Sequence, residues 1–164
     1  MKNILKLTFI NCGFITEHLS IKYLGITKRY LKSLVKDNIL ICNRYLIFGK
    51  LTTVYSISDK YIDNIRNEGY YLYKHDTTQL EHDYILLKIF LSIPDDCKIT
   101  WQNETALKYK FNKTTTTDAV YVEDKQIVGV EVLTPSYEKV AINNKMQFIT
   151  KYCDKSIILN TKDF

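Results

Sequence analysis

An α+β fold in two domains is what this sequence predicts, on three observations. Helical apolar spacing dominates the first 36 residues, strand-like runs dominate Lys98 to Leu133, and the charge balance changes sign between them. Residues 1–74 carry 12 Lys+Arg against 5 Asp+Glu, a net of +7; residues 75–164 carry 11 against 13, a net of −2. Such asymmetry suggests that the first half meets a polyanion and the second does something else. The expected domains are 1–70 and 75–164, joined by the tyrosine-rich GYYLYKHDT.

The first element is a helix over Asn3 to Cys12, dense in Ile4, Leu5, Leu7, Phe9 and Ile10, and stopped by Gly13. Thr16 can cap a second helix, TEHLSIKY, with Leu19, Ile21 and Tyr23 facing inward. After the turn at Gly25, Thr27 caps a third helix, TKRYLKSLVK, ending at Asp37-Asn38. At roughly 100° per residue, its cations Lys28, Arg29, Lys32 and Lys36 share one arc, while Tyr30, Leu31, Leu34 and Val35 hold the opposite arc. ILIC (39–42) and LTTVYSI (51–57) read as an antiparallel hairpin, with Arg44, Tyr45, Gly49 and Lys50 in the loop between them. Ser58 caps a further short helix before Gly69. Three helices followed by a hairpin with a basic tip describe a winged helix-turn-helix.

In the second half, Thr78 with Glu81 makes a capping-box pattern before the apolar helix HDYILLKIFL, which stops before Pro94. KITW (98–101), TALKYKF (105–111), TDAVYV (117–122) and QIVGVEVL (126–133) all read as strands. Pro135-Ser136 opens a helix to about Lys151, and SIILN (156–160) closes the chain as a buried strand.

Two sets of residues carry candidate chemistry. The major groove admits an α-helix, and Lys or Arg on its outer face pair with phosphates or guanine edges. Lys28, Arg29, Lys32, Ser33 and Lys36 are therefore the candidate DNA contacts of the third helix, with Arg44 and Lys50 gripping from the hairpin tip. The alternative is an amphipathic helix whose lysines only keep the protein in solution; the helix-turn-helix-hairpin context and the charge of +7 favour DNA. The second set is Asp118, Glu131 and Glu104. A carboxylate inside an apolar strand, as Glu131 is in GVEVL, is costly unless it is paired or binds a metal. Asp118 and Glu131 on adjacent strands could hold a divalent cation that activates water for phosphodiester cleavage. Their spacing, in an α-β-β-β-α-β frame, resembles the PD-(D/E)xK nuclease core. That core has a lysine two positions after the glutamate; here the residue is Leu133, with Lys139 the nearest candidate to reach back. His82 on an apolar helix reads first as a core histidine, and Trp101 with Glu104 as packing at a strand end.

The four cysteines have no paired spacing, which argues against a zinc ribbon or disulfide framework and suits a reducing cytoplasm. No apolar run approaches ~18 residues, and MKNILKLTFINC does not suit a signal peptide, so neither a membrane nor export is expected. No cofactor is expected unless Mg²⁺ or Mn²⁺ serves the carboxylates.

With these residues in hand, the chain resembles the replication-relaxation family of Gram-positive plasmids and integrative elements. The resemblance runs through FITEHLSIKYLGITKRYLKSLVKDNILI, VYSISDKYIDNI, His82-Asp83, Trp101 with Glu104, Asp118-Ala119-Val120 and Val130-Glu131-Val132. It implies a winged helix followed by a nuclease-like α/β domain, with Asp118 and Glu131 at acidic positions of the pattern. The implied role is DNA handling in plasmid replication, relaxation or conjugative transfer. The expectation is thus an accessory protein of a mobile element that binds double-stranded DNA, alongside other replication or transfer proteins, with its nuclease-like domain inactive. Winged-helix proteins often pair on symmetric sites, which keeps a homodimer open. Two alternatives stand beside it: a metal-dependent nuclease using Asp118 and Glu131, and a winged-helix transcriptional regulator or protein-interaction and inhibitor module.

Overall fold

The computed structural model describes residues 1–164 as a mixed α+β chain of eight α-helices and two sheets, in two compact units, Met1–Ser92 and Ile93–Phe164. In the first unit the order is α1 (Asn3–Cys12), β1 (Phe14–Thr16), α2 (Glu17–Leu24), α3 (Lys28–Lys36), β2 (Leu40–Ile47), β3 (Lys50–Ile57), α4 (Asp59–Asn67) and α5 (Leu80–Ser92). β1, β3 and β2 form an antiparallel sheet in that order. Leu5, Phe9, Ile15, Ile26, Leu31, Leu40, Tyr55 and Ile65 bring the helices and the sheet into one apolar core.

Local chemistry sets the ends of these elements. Thr16 accepts a hydrogen bond from the Leu19 N–H, and Thr27 one from the Tyr30 N–H, so these two predicted caps form, whereas Ser58, expected to cap α4, makes no such bond and donates its hydroxyl to the Asn38 carbonyl at 2.6 Å. The loop expected between the strands is instead a two-residue turn, Phe48-Gly49, both at positive φ as a type I′ turn requires. The ladder therefore runs on past the apolar runs, and Arg44 sits within β2 opposite Thr53 rather than at the tip. Ile21, expected inward, is exposed, because α2 has only eight residues and buries only Leu19 and Ser20. Short β1 was not expected at all.

α5 belongs to the first unit, so the division falls at Ser92–Ile93 and not near residues 70–76. The reason is the segment before α5. The buried Asp83 carboxylate accepts from the Tyr73 hydroxyl at 2.7 Å and from the Asp76 N–H at 3.0 Å, while the Tyr73 N–H bonds the Ile10 carbonyl at 2.8 Å. This strap crosses Gly13, which ends α1 at φ +76°; a Cβ there would lie 2.9 Å from both the Tyr73 carbonyl and the His75 nitrogen. Gly13→Ala should therefore cost at least ~2 kcal/mol in urea unfolding, since strain at positive φ adds to a clash with backbone. Glu81 does not fold back into a capping box; its Oε1 accepts the Phe48 N–H at 3.0 Å.

The second unit runs α6 (Asp95–Thr100), β4 (Gln102–Asn103), α7 (Glu104–Phe111), β5 (Ala119–Glu123), β6 (Gln126–Leu133), α8 (Lys139–Tyr152) and β7 (Lys155–Asn160). Its sheet has the order β4-β5-β6-β7, antiparallel except for the β6–β7 pair, whose strands are joined through α8. Two expected strands are helices. KITW lies mostly in α6, whose first turn carries Asp95 and Asp96 where the helix dipole favours anions. TALKYKF lies in α7, capped by Asn103, whose side chain accepts the Ala106 N–H, and ended by Asn112 at φ +49°. Its Leu107, Tyr109 and Phe111 mimic a period of two; Leu107 and Phe111 share the inner helical face and Tyr109 is exposed. β7, expected to be buried, is an edge strand with Ile158 exposed. No helix is long and apolar enough to cross a membrane.

Candidate nucleic-acid face and a buried charge cluster

α3 has the predicted division of labour. Leu31 and Leu34 are buried, while Lys28, Arg29, Lys32, Ser33 and Lys36 are exposed. Leucines at i and i+3 seat the helix on the core, and this fixes the opposite arc toward solvent. Lys28 Nζ lies 3.0 Å from Glu17 Oε1, so part of its charge is answered within the unit. Ser33 Oγ donates to the Tyr30 carbonyl at 2.8 Å. On the hairpin, Arg44 and Lys50 are exposed, Lys50 directly after the turn.

Asp118 and Glu131 do converge. Asp118 immediately precedes β5 and Glu131 lies in the middle of β6, and the Ala119–Val130 register sets them side by side. Lys145 of α8 joins them: its Nζ is 2.7 Å from Asp118 Oδ1 and 2.7 Å from Glu131 Oε1. The second contact is ionic and lacks the geometry of a directed hydrogen bond. The three residues are 5%, 0% and 6% exposed, respectively. Asp118 Oδ2 accepts the Val132 N–H at 2.7 Å; Glu131 Oε2 accepts from Thr117 Oγ1 at 3.1 Å and from the Asp118 N–H at 3.3 Å. Lys145 Nζ also lies 5.1 Å from the centre of the Tyr137 ring.

Burial and then the charge of Asp118 push the Glu131 carboxyl up to about 8, against the pull of Lys145. Burial lowers the Lys145 ammonium, but Asp118 and Glu131 more than offset it, so it ends raised. Two carboxyls, one proton and one ammonium leave the cluster electrically neutral near pH 7, the cheapest state for charges in a dry interior. Because the folded carboxyl of Glu131 holds its proton above the ordinary value of 4.5, its contribution to stability is full below that pH and is lost as pH rises toward about 8. The fall in Tm between pH 5 and pH 8 should shrink in Glu131→Gln.

A cation bridging Asp118 and Glu131 would need the position that the Lys145 ammonium holds. The cluster as arranged does not fit a metal, and nowhere do three His, Cys, Asp or Glu side chains gather as one would require. Glu104 does not join it; it pairs with Lys108 at 3.0 Å, one helical turn on in α7. Lys139, the expected reach-back lysine, is exposed at the start of α8, and Leu133 is half-buried at the end of β6. Lys145 was missed, although its spacing to Phe148 and Ile149 places it on the buried stripe of α8, where a lysine needs carboxylate partners. His82 is a core histidine, with Nδ1 2.9 Å from Asp83 Oδ1. Trp101 stacks on Tyr121, with ring centroids 5.8 Å apart. Set beside protein-family models, curated proteins and solved structures, the chain matches none of them.

Proposed function

We propose that this chain binds duplex DNA through α3 and the β2–β3 hairpin, as an accessory protein in the replication, relaxation or transfer of a mobile element. The first unit is a winged helix in this reading: α1-β1-α2-α3-β2-β3, with β1 completing the sheet, is the order such a head needs. The observation that carries the reading is the exposure of Lys28, Arg29, Lys32 and Lys36 on one side of α3, above buried Leu31 and Leu34. α3 enters the major groove; Arg29 and Lys32 pair with phosphates or guanine edges, and Arg44 and Lys50 hold backbone. The mobile-element context rests on the family resemblance. In the second unit, a PD-(D/E)xK-like sheet serves binding or assembly, with Lys145 as internal counter-ion.

Titrating a duplex at rising salt tests this. With about five phosphate contacts, affinity should fall roughly 10²–10³-fold between 50 and 200 mM salt. Affinity that does not change with salt would remove the basic face from the account.

The convergence of Asp118, Glu131 and Lys145 favours a second reading, a nuclease. It requires Lys145 to leave its two carboxylates, because the cluster is closed and neutralised as it stands. Cleavage that depends on Mg²⁺ or Mn²⁺ and disappears in Asp118→Ala would establish it.

A further inference from the structure

The second unit balances ten Lys against ten Asp+Glu, but unevenly: residues 105–117 and 139–153 hold six of the lysines and no carboxylate. These stretches are α7 with the loop after it, and α8. Lys145 belongs to the buried cluster and Lys108 pairs with Glu104, whereas Lys110, Lys113, Lys139 and Lys151 are exposed. Between the loop and α8 lies an open cleft of about 540 Å³. Asn112, which ends α7 at φ +49°, and Lys113 form one wall. Asn144, Gln147 and Lys151, at i, i+3 and i+7 on one face of α8, form the other. Aromatic rings back the cleft: Phe148 is buried and Tyr152 half-buried, with centroids 4.8 Å apart. The exposed Lys151 brings its Nζ to 5.3 Å from the Tyr152 centroid, so that ring is reached from solvent. Phe111, with its centroid 4.7 Å from that of Tyr152, and Lys110 beside it continue the same chemistry along α7. No Asp or Glu lines the cleft.

We infer that this cleft binds a short stretch of single-stranded nucleic acid. A base stacks on Tyr152, the amides of Asn144 and Gln147 meet base edges, and Lys113 and Lys151 take the phosphates. The inference goes beyond the duplex reading of α3 and does not depend on it. Lysines alone would take any polyanion, an acidic peptide included, so the rest of the lining decides the class. Amide side chains both donate and accept, which matches the mixed edges of bases and not the acceptor-only oxygens of carboxylates. An aromatic ring among cations offers a base a face to stack on, the means by which single strands are held with little sequence preference. A duplex keeps its bases stacked on one another and has none to give Tyr152. From Asn144 to Tyr152 the helix rises about 12 Å, room for roughly two splayed nucleotides. A base on Tyr152 takes the place the Lys151 ammonium now holds, and the ammonium moves to the adjoining phosphate.

The test uses the full chain carrying Arg29→Glu/Lys32→Glu, so that α3 does not supply the contact. Fluorescence anisotropy follows its binding to labelled oligothymidine and to an abasic strand of the same length, which has the phosphates without the bases. Oligothymidine should bind at least ~10-fold more tightly than the abasic strand. Adding Lys113→Glu/Lys151→Glu, at two exposed positions, should lower its affinity by at least ~30-fold. Tyr152→Leu should erase the advantage over the abasic strand, with circular dichroism unchanged. Equal binding of the two strands overturns the stacked base and the single-strand assignment with it. Undiminished affinity in the lysine variant puts the strand elsewhere and overturns the cleft. Displacement of oligothymidine by an equal concentration of thymidine monophosphate assigns the cleft to a free nucleotide and overturns the strand. Failure of oligothymidine to bind overturns this inference alone, since duplex binding by the unaltered chain judges the α3 reading separately.

Discussion

Lys145→Met should destabilise the second unit by about 3–5 kcal/mol at pH 7, read as a drop in the urea midpoint. Methionine fills a similar volume, so the effect comes from charge. Without the ammonium, Asp118 and Glu131 face each other in a buried space with only the Val132, Thr117 and Asp118 donors to answer them. The pair already shares one proton near pH 7, so losing the ammonium leaves one buried negative charge that only a second proton could neutralise, a requirement the unfolded chain does not have. The deficit should therefore shrink as the pH is lowered toward 4 and grow as it rises. A second variant, Lys145→Met with Glu131→Gln, separates charge from packing: removing one carboxylate should recover part of the lost stability. A midpoint unchanged in Lys145→Met would mean that the cluster is open to water in solution.

The second large effect belongs to α3. Arg29→Glu with Lys32→Glu should lower duplex affinity by at least ~100-fold at 100 mM salt, because two attractive contacts become repulsive. Both side chains are exposed, and Leu31 and Leu34 remain to hold the helix, so its circular dichroism and Tm should barely change. Lys28→Glu alone should be milder in DNA binding, since Glu17 already answers part of that charge. Retained affinity in the folded double variant would move the interface away from this helix.

How much of this was legible in the sequence depends on whether the signal was local. The caps at Thr16 and Thr27, the stop at Gly13 and the outward cations of α3 follow from neighbours within one helical turn, and sequence shows those. α6 and α7 read as strands because β-branched and aromatic residues cluster or alternate there, while the deciding features, the Asp95-Asp96 first turn and the Asn103 cap, involve only one or two residues. The length of the β2–β3 hairpin was hidden because Phe48 occupies positive φ without being glycine. Asp118 and Glu131 were visible as misplaced carboxylates, but their partner lies on α8, and only the β6-α8-β7 crossover brings it back. Sequence showed that a counter-charge was owed; topology decided which residue supplies it.

The hydrogen bond from the Phe48 amide to Glu81 has a thermodynamic consequence for recognition. A hairpin free to sample many orientations must surrender that freedom when it meets a ligand, and the loss is subtracted from affinity. Tied to α5 beforehand, this one has already given up most of it during folding. In the proposed DNA-binding reading, Glu81 would thus add to affinity from a position that need never touch the duplex, by narrowing the range of shapes the free protein explores.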